Sequence, residues 1–268
     1  MYKETIISSK DNLMIKETRK LKEKKYRSEK KKFLVEGFRF VEEAIKSKSN
    51  IDSIYIEENS LNKLQNLYEK YKINKGIKTY VVTNNVLKTM SNTKTPQGIL
   101  AVVKYMNLEN VNYNNGFYIL ADKVQDPGNM GTIIRTAHAA NALGVITTKG
   151  TVDIYNEKTL RSTMGSIFYI PIIEDNSLEV IKGLRESGFK LLTSSLDTKH
   201  NFYNVDMTEN MIICVGNEGN GVSSDLMQLS DLKVKIPMPG GSESLNVSVA
   251  CSIMTFERVR QMKIGNDS

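Results

Sequence analysis

The chain has 268 residues, 40% apolar, 7% aromatic and 25% charged, which fits one large globular domain or two modest ones and excludes disorder throughout or a fibrous repeat. No apolar run is long enough for a membrane-spanning helix, and the charged start MYKETIISSK predicts no signal peptide. The net charge of +7 is unevenly held: residues 1–48 carry fifteen Lys or Arg against eight Asp or Glu, so the rest is neutral. Ten of those cations fall between Lys16 and Lys32, and such clustering attracts polyphosphate surfaces, nucleic acid above all.

In chain order, FLVEG (33–37) reads as a strand and Phe38–Ser47 as a helix. IDSIYIE (51–57) is strand-like, LNKLQNLYEKY (61–71) helical, and TYVVT (79–83) and GILAVVKY (98–105) are strands. Together they predict a small α/β domain over 1–105. MNLENVNYNNGF, with five asparagines, reads as a linker over 106–116. A second alternation then fills 117–268. It has strands at FYILAD (117–122), GVITT (144–148), FKLLTSS (189–195), MIICVG (211–216) and LKVKIP (232–237), a helix over 130–141, and a closing helix from Val247 to Gln261. Continuous apolar strands between helical stretches predict a mostly parallel sheet covered on both faces.

Common catalytic motifs are missing. There is no P-loop and no G-x-S-x-G elbow, and GNEGNG (216–221) does not fit G-x-G-x-x-G. The two histidines and two cysteines lack metal-ligand spacing, so no metal is expected, and Cys214 and Cys251 in apolar segments fit a reduced, cytoplasmic protein. Three segments instead place glycines and polar side chains at the ends of apolar strands, where an open α/β sheet binds its ligands. They are DKVQDPGNMGTIIRTAHAA (122–140), with Asn129 and Arg135; IICVGNEGNGVSSDL (212–226), with Glu218 among Gly216, Gly219 and Gly221; and KIPMPGGSESLNVSVACSIMTFE (235–257), with Ser244 and Asn246. Each alone has a plain structural reading: Asn129 and Asn246 as helix caps, Arg135 as a surface residue, and the glycines as a turn.

In that order and spacing the three segments resemble the SpoU (TrmH-like) branch of the SPOUT RNA methyltransferases. N-x-G-x-x-x-R is matched by Asn129, Gly131 and Arg135, and G-x-E-G-x-G by Gly216, Glu218, Gly219 and Gly221. I-P-M followed by S-L-N-V-x-x-A is matched by Ile236, Pro237, Met238, Ser244 to Val247 and Ala250. FLVEGFRFVEEAI (33–45) and TPQGILAVV (95–103) resemble the RNA-binding domain of the same family, so the likeness spans the chain.

The resemblance implies an α/β SPOUT domain with a deep trefoil knot, preceded by a small L30-like domain bearing a basic N-terminal extension. It also implies a homodimer joined through the knot region and S-adenosylmethionine as cofactor, bound at Gly216, Ile236 and Leu245. The implied reaction is methyl transfer to a ribose 2′-hydroxyl, with Asn129, Arg135, Glu218, Ser244 and Asn246 as the catalytic set and rRNA of the large subunit, 23S rRNA, as the partner. The L30-like domain favours rRNA over the alternatives, a tRNA methyltransferase of the same family or a non-catalytic RNA-binding protein. A guanidinium, whose pKa exceeds about 12, is a poor general base, so Arg135 reads better as a phosphate clamp than as a proton acceptor.

Overall fold

The computed structural model describes residues 6–73, 77–91, 93, 95–106, 111–195 and 198–266. Residues 1–5 of the basic tract and 107–110 of the expected linker therefore lie outside the described residues. The chain divides into two compact units, residues 1–107 with 155–157, and residues 108–154 with 158–268.

The first unit opens with two helices, α1 (Leu13–Lys20) and α2 (Lys24–Lys30). Asn12 caps α1 by accepting the Met14 N–H at 2.9 Å, and Lys31 ends α2 in the left-handed region, φ 51°. Strand β1 (Lys32–Glu36), helix α3 (Phe38–Lys46), strand β2 (Ile51–Glu57) and helix α4 (Leu61–Lys70) follow, then β3 (Thr79–Val82), α5 (Asn84–Met90) and β4 (Ile99–Lys104). The sheet order is β1-β4-β2-β3, antiparallel at β1/β4 and β4/β2 and parallel at β2/β3.

The basic N-terminal stretch is built into this unit, not appended to it. Ile15 and Leu21 are buried in one cluster with Tyr55, Val86, Leu87 and Met90, while Lys16, Glu17, Arg19 and Lys20 take the outer face of α1. Charge density hid an amphipathic helix whose apolar stripe is only a few residues long.

In the second unit, β5 (Phe117–Ala121), α6 (Pro127–Ala139), β6 (Gly144–Thr147), α7 (Glu157–Ser162) and β7 (Ile172–Glu174) come first. They are followed by α8 (Glu179–Glu186), β8 (Lys190–Ser194), β9 (Met211–Val215), α9 (Ser224–Leu229), β10 (Leu232–Val234) and α10 (Val247–Asn266). All pairs in the six-stranded sheet β10-β8-β9-β5-β6-β7 are parallel.

Alternation sends Tyr118, Leu120, Ile212 and Cys214 to one face, into a core with Ile181 and Leu184 of α8 and Leu226 of α9. Helices α6 and α10 pack against each other and contact β5 and β9. The expected parallel sheet between helical layers is what forms. Burial holds both thiols protonated, Cys251 pushed up to about 12 and Cys214 well above its ordinary value. No helix among the described residues is long and apolar enough to cross a membrane.

Candidate active site

The loops that leave the carboxyl ends of β5 and β9 are held together by a buried carboxylate. Asp122, directly after β5, accepts the Thr148 hydroxyl at 2.6 Å and the Ser223 N–H at 2.7 Å, and so pins the loop after β9 to the loop after β5. Asp126 then caps α6, accepting the Asn129 N–H at 2.7 Å, with Pro127 as first helical residue. Asn129 is thus not the cap but a first-turn residue whose side chain is free for other work.

The loop after β9 is closed upon itself. Asn217 and Gly221 exchange backbone hydrogen bonds, both 2.9 Å, and Gly221 adopts φ +69°. The Asn217 side chain accepts the Gly219 and Asn220 N–H groups at 3.0 Å and donates to the Lys123 carbonyl at 2.9 Å. A Cβ on Gly216 would stand 2.1 Å from the Gly221 carbonyl carbon and 2.2 Å from the Val222 nitrogen. Only glycine fits there, and the first demand comes from the loop's own backbone.

This loop aims Glu218 at the entrance of α6, where its carboxylate accepts the Gln125 N–H at 3.2 Å, the Asp126 N–H at 3.1 Å and the Asn129 amide N–H at 3.1 Å. Partial burial pulls its pKa upward, but the donors, Asn129 foremost, outweigh that and leave it below the usual carboxylate value. Asn129 Oδ1 in turn accepts the Asn246 amide N–H at 2.9 Å. Asn246 Oδ1 accepts the Ser248 hydroxyl at 2.7 Å and the Ser248 N–H at 2.9 Å as α10 begins.

The chain of bonds runs one way, from Ser248 through both amides to Glu218. Each amide nitrogen has two hydrogens and spends one inside the chain. What the pair has left to offer a ligand is N–H donors.

Beside this chain lies an open cavity of ≈ 870 Å³, bordered by residues 215–222, 234–236 and 243–247, together with Ser195, Met227 and Met238. Gly216, Glu218, Ile236, Ser244, Leu245 and Asn246 all border it. Its lining mixes apolar residues such as Val215, Ile236 and Leu245 with polar ones, which suits a ligand with a flat base and ribose hydroxyls, and the room exceeds the ~300 Å³ at the lower end of small-molecule sites.

Asn129 joins this group through Asn246 without lining the cavity. Arg135 stands apart: it is exposed on α6, borders no part of the cavity, and has no hydrogen bond or ion pair to a described residue. Ser244 lines the cavity, and among the described residues only its carbonyl is engaged, by the Ser242 hydroxyl at 3.0 Å.

Sequence reasoning did not find Asp122, Asp126, Asn217 or Ser248. Asp126 before proline carried a helix-cap signal and Asn217 an Asx-turn signal. The two long-range contacts, Asp122 to Ser223 and Asn246 to Asn129, had none.

A family model for SpoU rRNA methylases matches residues 116–256, and one for the MRM3-like substrate binding domain matches residues 12–101. The chain belongs to the SpoU rRNA methylase family. It is 36% identical over 250 residues to the 23S rRNA (guanosine(2553)-2′-O)-methyltransferase RlmP of Bacillus subtilis (strain 168), covering 93% of this chain and 97% of that one. Among solved structures it is similar to an AdoMet-bound rRNA methyltransferase from Sinorhizobium meliloti, with TM-score 0.82, 29% identity and coverage of 96% and 98% of the two chains. It is also similar to the SpoU methyltransferase AviRb from Streptomyces viridochromogenes in complex with AdoMet, with TM-score 0.81, 25% identity and coverage of 93% and 98%.

Proposed function

We propose that this protein is an S-adenosylmethionine-dependent RNA methyltransferase that modifies a ribose 2′-hydroxyl of 23S rRNA. The observation that carries the reading is the hydrogen-bonded chain Asn246–Asn129–Glu218 at the rim of a cavity bordered by Gly216, Ile236 and Leu245. Those residues would hold the cofactor through loop backbone and apolar walls, and when bound it supplies a methyl group already activated on sulfur.

What remains for the protein is to position a poor nucleophile and stabilise the charge that develops on it. The unspent amide N–H groups of Asn129 and Asn246 are donors for an oxygen, and suit a developing alkoxide. Glu218 stays ionised and orients Asn129. Arg135, unpaired among the described residues, clamps an RNA phosphate, and the proton leaves through that phosphate or water. Ser244, exposed at the cavity's edge, positions the ribose.

The 36% identity to RlmP over nearly the full length of both chains favours rRNA, because the match includes the N-terminal unit. A homodimer is supported by α10, which exposes Val249 and Phe256, two turns apart on one face. A trefoil knot in the C-terminal segment is supported by the place of β9 between β8 and β5 and by the pinning of Ser223 to Asp122. An L30-like character of the N-terminal unit, with boundaries near 105 and 117, and a cytoplasmic location complete the reading.

Two measurements test it. Mapping 2′-O-methyl sites in total RNA from wild-type and deletion cells should show one lost mark in 23S rRNA, and loss from tRNA instead would overturn the substrate. Arg135→Lys keeps the charge but loses the planar fork, so single-turnover methylation should fall at least about a hundredfold with unchanged S-adenosylhomocysteine affinity. A near-normal rate would remove the clamp.

A further inference from the structure

The first unit holds a second cavity, of ≈ 390 Å³, between helices α1 and α2 and the strands β2 and β3. We propose that this groove seats one unpaired nucleobase of an RNA strand. Its wall combines three tyrosines with lysines: Tyr26, Tyr55 and Tyr80, with Lys30, Lys32 and Lys78. Tyr80 is half-buried and stacks on the buried Tyr55, with ring centroids 5.4 Å apart and planes 28° from parallel. Tyr55 is anchored from behind, its hydroxyl accepting that of Thr18 at 2.8 Å. The stack is therefore a fixed platform. Tyr26, which also lines the groove, carries the ammonium groups of Lys20 and Lys30 at 5.6 and 5.4 Å from its ring centre.

Apolar surface at the mouth is left uncovered, Leu13 being 79% exposed and Met14 38%. Aromatic faces flanked by cations are what single-stranded nucleic acid requires, because each base offers a π-face and each nucleotide a phosphate. Two carboxylates also line the groove, but each is already paired with a lysine: Glu17 with Lys20 at 2.7 Å, while it also accepts the Tyr26 hydroxyl, and Asp52 with Lys32 at 2.9 Å. Lys78 has no ion-pair partner among the described residues and is free for a phosphate.

The whole net charge of the sequence lies within residues 1–48, the segment that supplies α1 and α2. A paired duplex hides its base faces, so the groove selects unpaired nucleotides. The inference rests on the RNA-methyltransferase reading only for the kind of polymer that reaches the groove.

The test uses the full-length protein and a short, fluorescein-labelled single-stranded oligoribonucleotide of mixed sequence, with a perfect duplex of the same sequence beside it. Tyr26→Ala should weaken the single strand about tenfold, and Tyr26→Phe, which keeps the ring, should bind as wild type. Lys78→Gln should weaken it by a smaller factor and lower the salt dependence. The duplex should bind more weakly than the single strand and be indifferent to Tyr26.

Photocrosslinking of wild-type protein with the 4-thiouridine form of the probe needs no variant to fold, and should label peptides holding Tyr26 or Tyr80. Crosslinks confined to other peptides, or a folded Tyr26→Ala protein with unchanged affinity, would overturn the groove. The two readings fail differently. Wild-type protein that methylates rRNA while groove variants bind RNA normally sinks only the groove. Groove-dependent binding without any methyl transfer sinks only the proposed reaction.

Discussion

Ser248 shows how a residue outside the expected catalytic set can govern it. Its hydroxyl and N–H both point at Asn246 Oδ1, and this fixes which end of that amide faces Asn129. Without the hydroxyl, one donor of the pair is gone and the amide of Asn246 is less firmly oriented, a net loss of about 1 kcal/mol. Ser248→Ala should therefore slow single-turnover methylation about three- to tenfold while S-adenosylhomocysteine binds as before, since Ser248 does not line the cavity. Ser248→Thr, which retains the oxygen, should restore most of the rate. Equal losses in rate and cofactor affinity for the alanine variant would mean that Ser248 merely holds up α10.

At the scale of elements, glycine placement decides whether neighbouring segments can meet. Gly131 on α6 lies where a Cβ would stand 2.2 Å from the Ser162 Cβ, so this motif glycine serves the approach of α7 to α6. Gly216 serves the closure of the 216–222 loop, and its substitution acts on the cofactor only through that loop. Gly216→Ala should lower S-adenosylhomocysteine affinity at least about tenfold, because backbone at 221–222 has to move by more than soft side chains would. Gly240→Ala, where a Cβ would meet nothing within 4 Å, is the matched control and should bind normally. Calorimetric titration of both proteins, after thermal melts confirm folding, reads the difference. Normal affinity in Gly216→Ala would mean that the loop opens without cost.

For the whole molecule, the distribution of charge matters more than its total. Apart from Arg27, which is buried and donates to the Leu21 and Lys22 carbonyls, the cations of α1 and α2 lie away from the core that Ile15 and Leu21 help to form, so removing residues 1–32 would strip both apolar residues from it. Surface substitution is the cleaner probe of the electrostatics. Lys24 and Lys25 are exposed on α2 and have no ion pair to a described residue. Changing both to Gln should leave the melting temperature within a few degrees and reduce the slope of log affinity for single-stranded RNA against log salt. Each lost phosphate contact is worth about 0.7 of that slope. An unchanged slope would place the RNA contacts elsewhere on the molecule.

Much of this protein could be read directly from residue order. Apolar runs such as FYILA and MIICV become β5 and β9 because a strand buried on both faces needs no alternation, and the Asp-Pro pair marks the start of α6 by local sterics and hydrogen bonding. Short elements escaped. The three residues of β7 and the seven of α5 give no usable period, and α1 was masked by its lysines. The site residues were legible as a set only through a resemblance, because each had an equally good local role. Tertiary structure decided the rest. It made Asp126 the cap and released Asn129, brought Asn246 to Asn129 across 117 residues, and left Arg135 without a partner among the described residues. Local propensity acts over a few neighbouring residues, whereas the direction of a hydrogen-bond chain depends on which loop ends the sheet sets side by side, and that is fixed only when the strands pair.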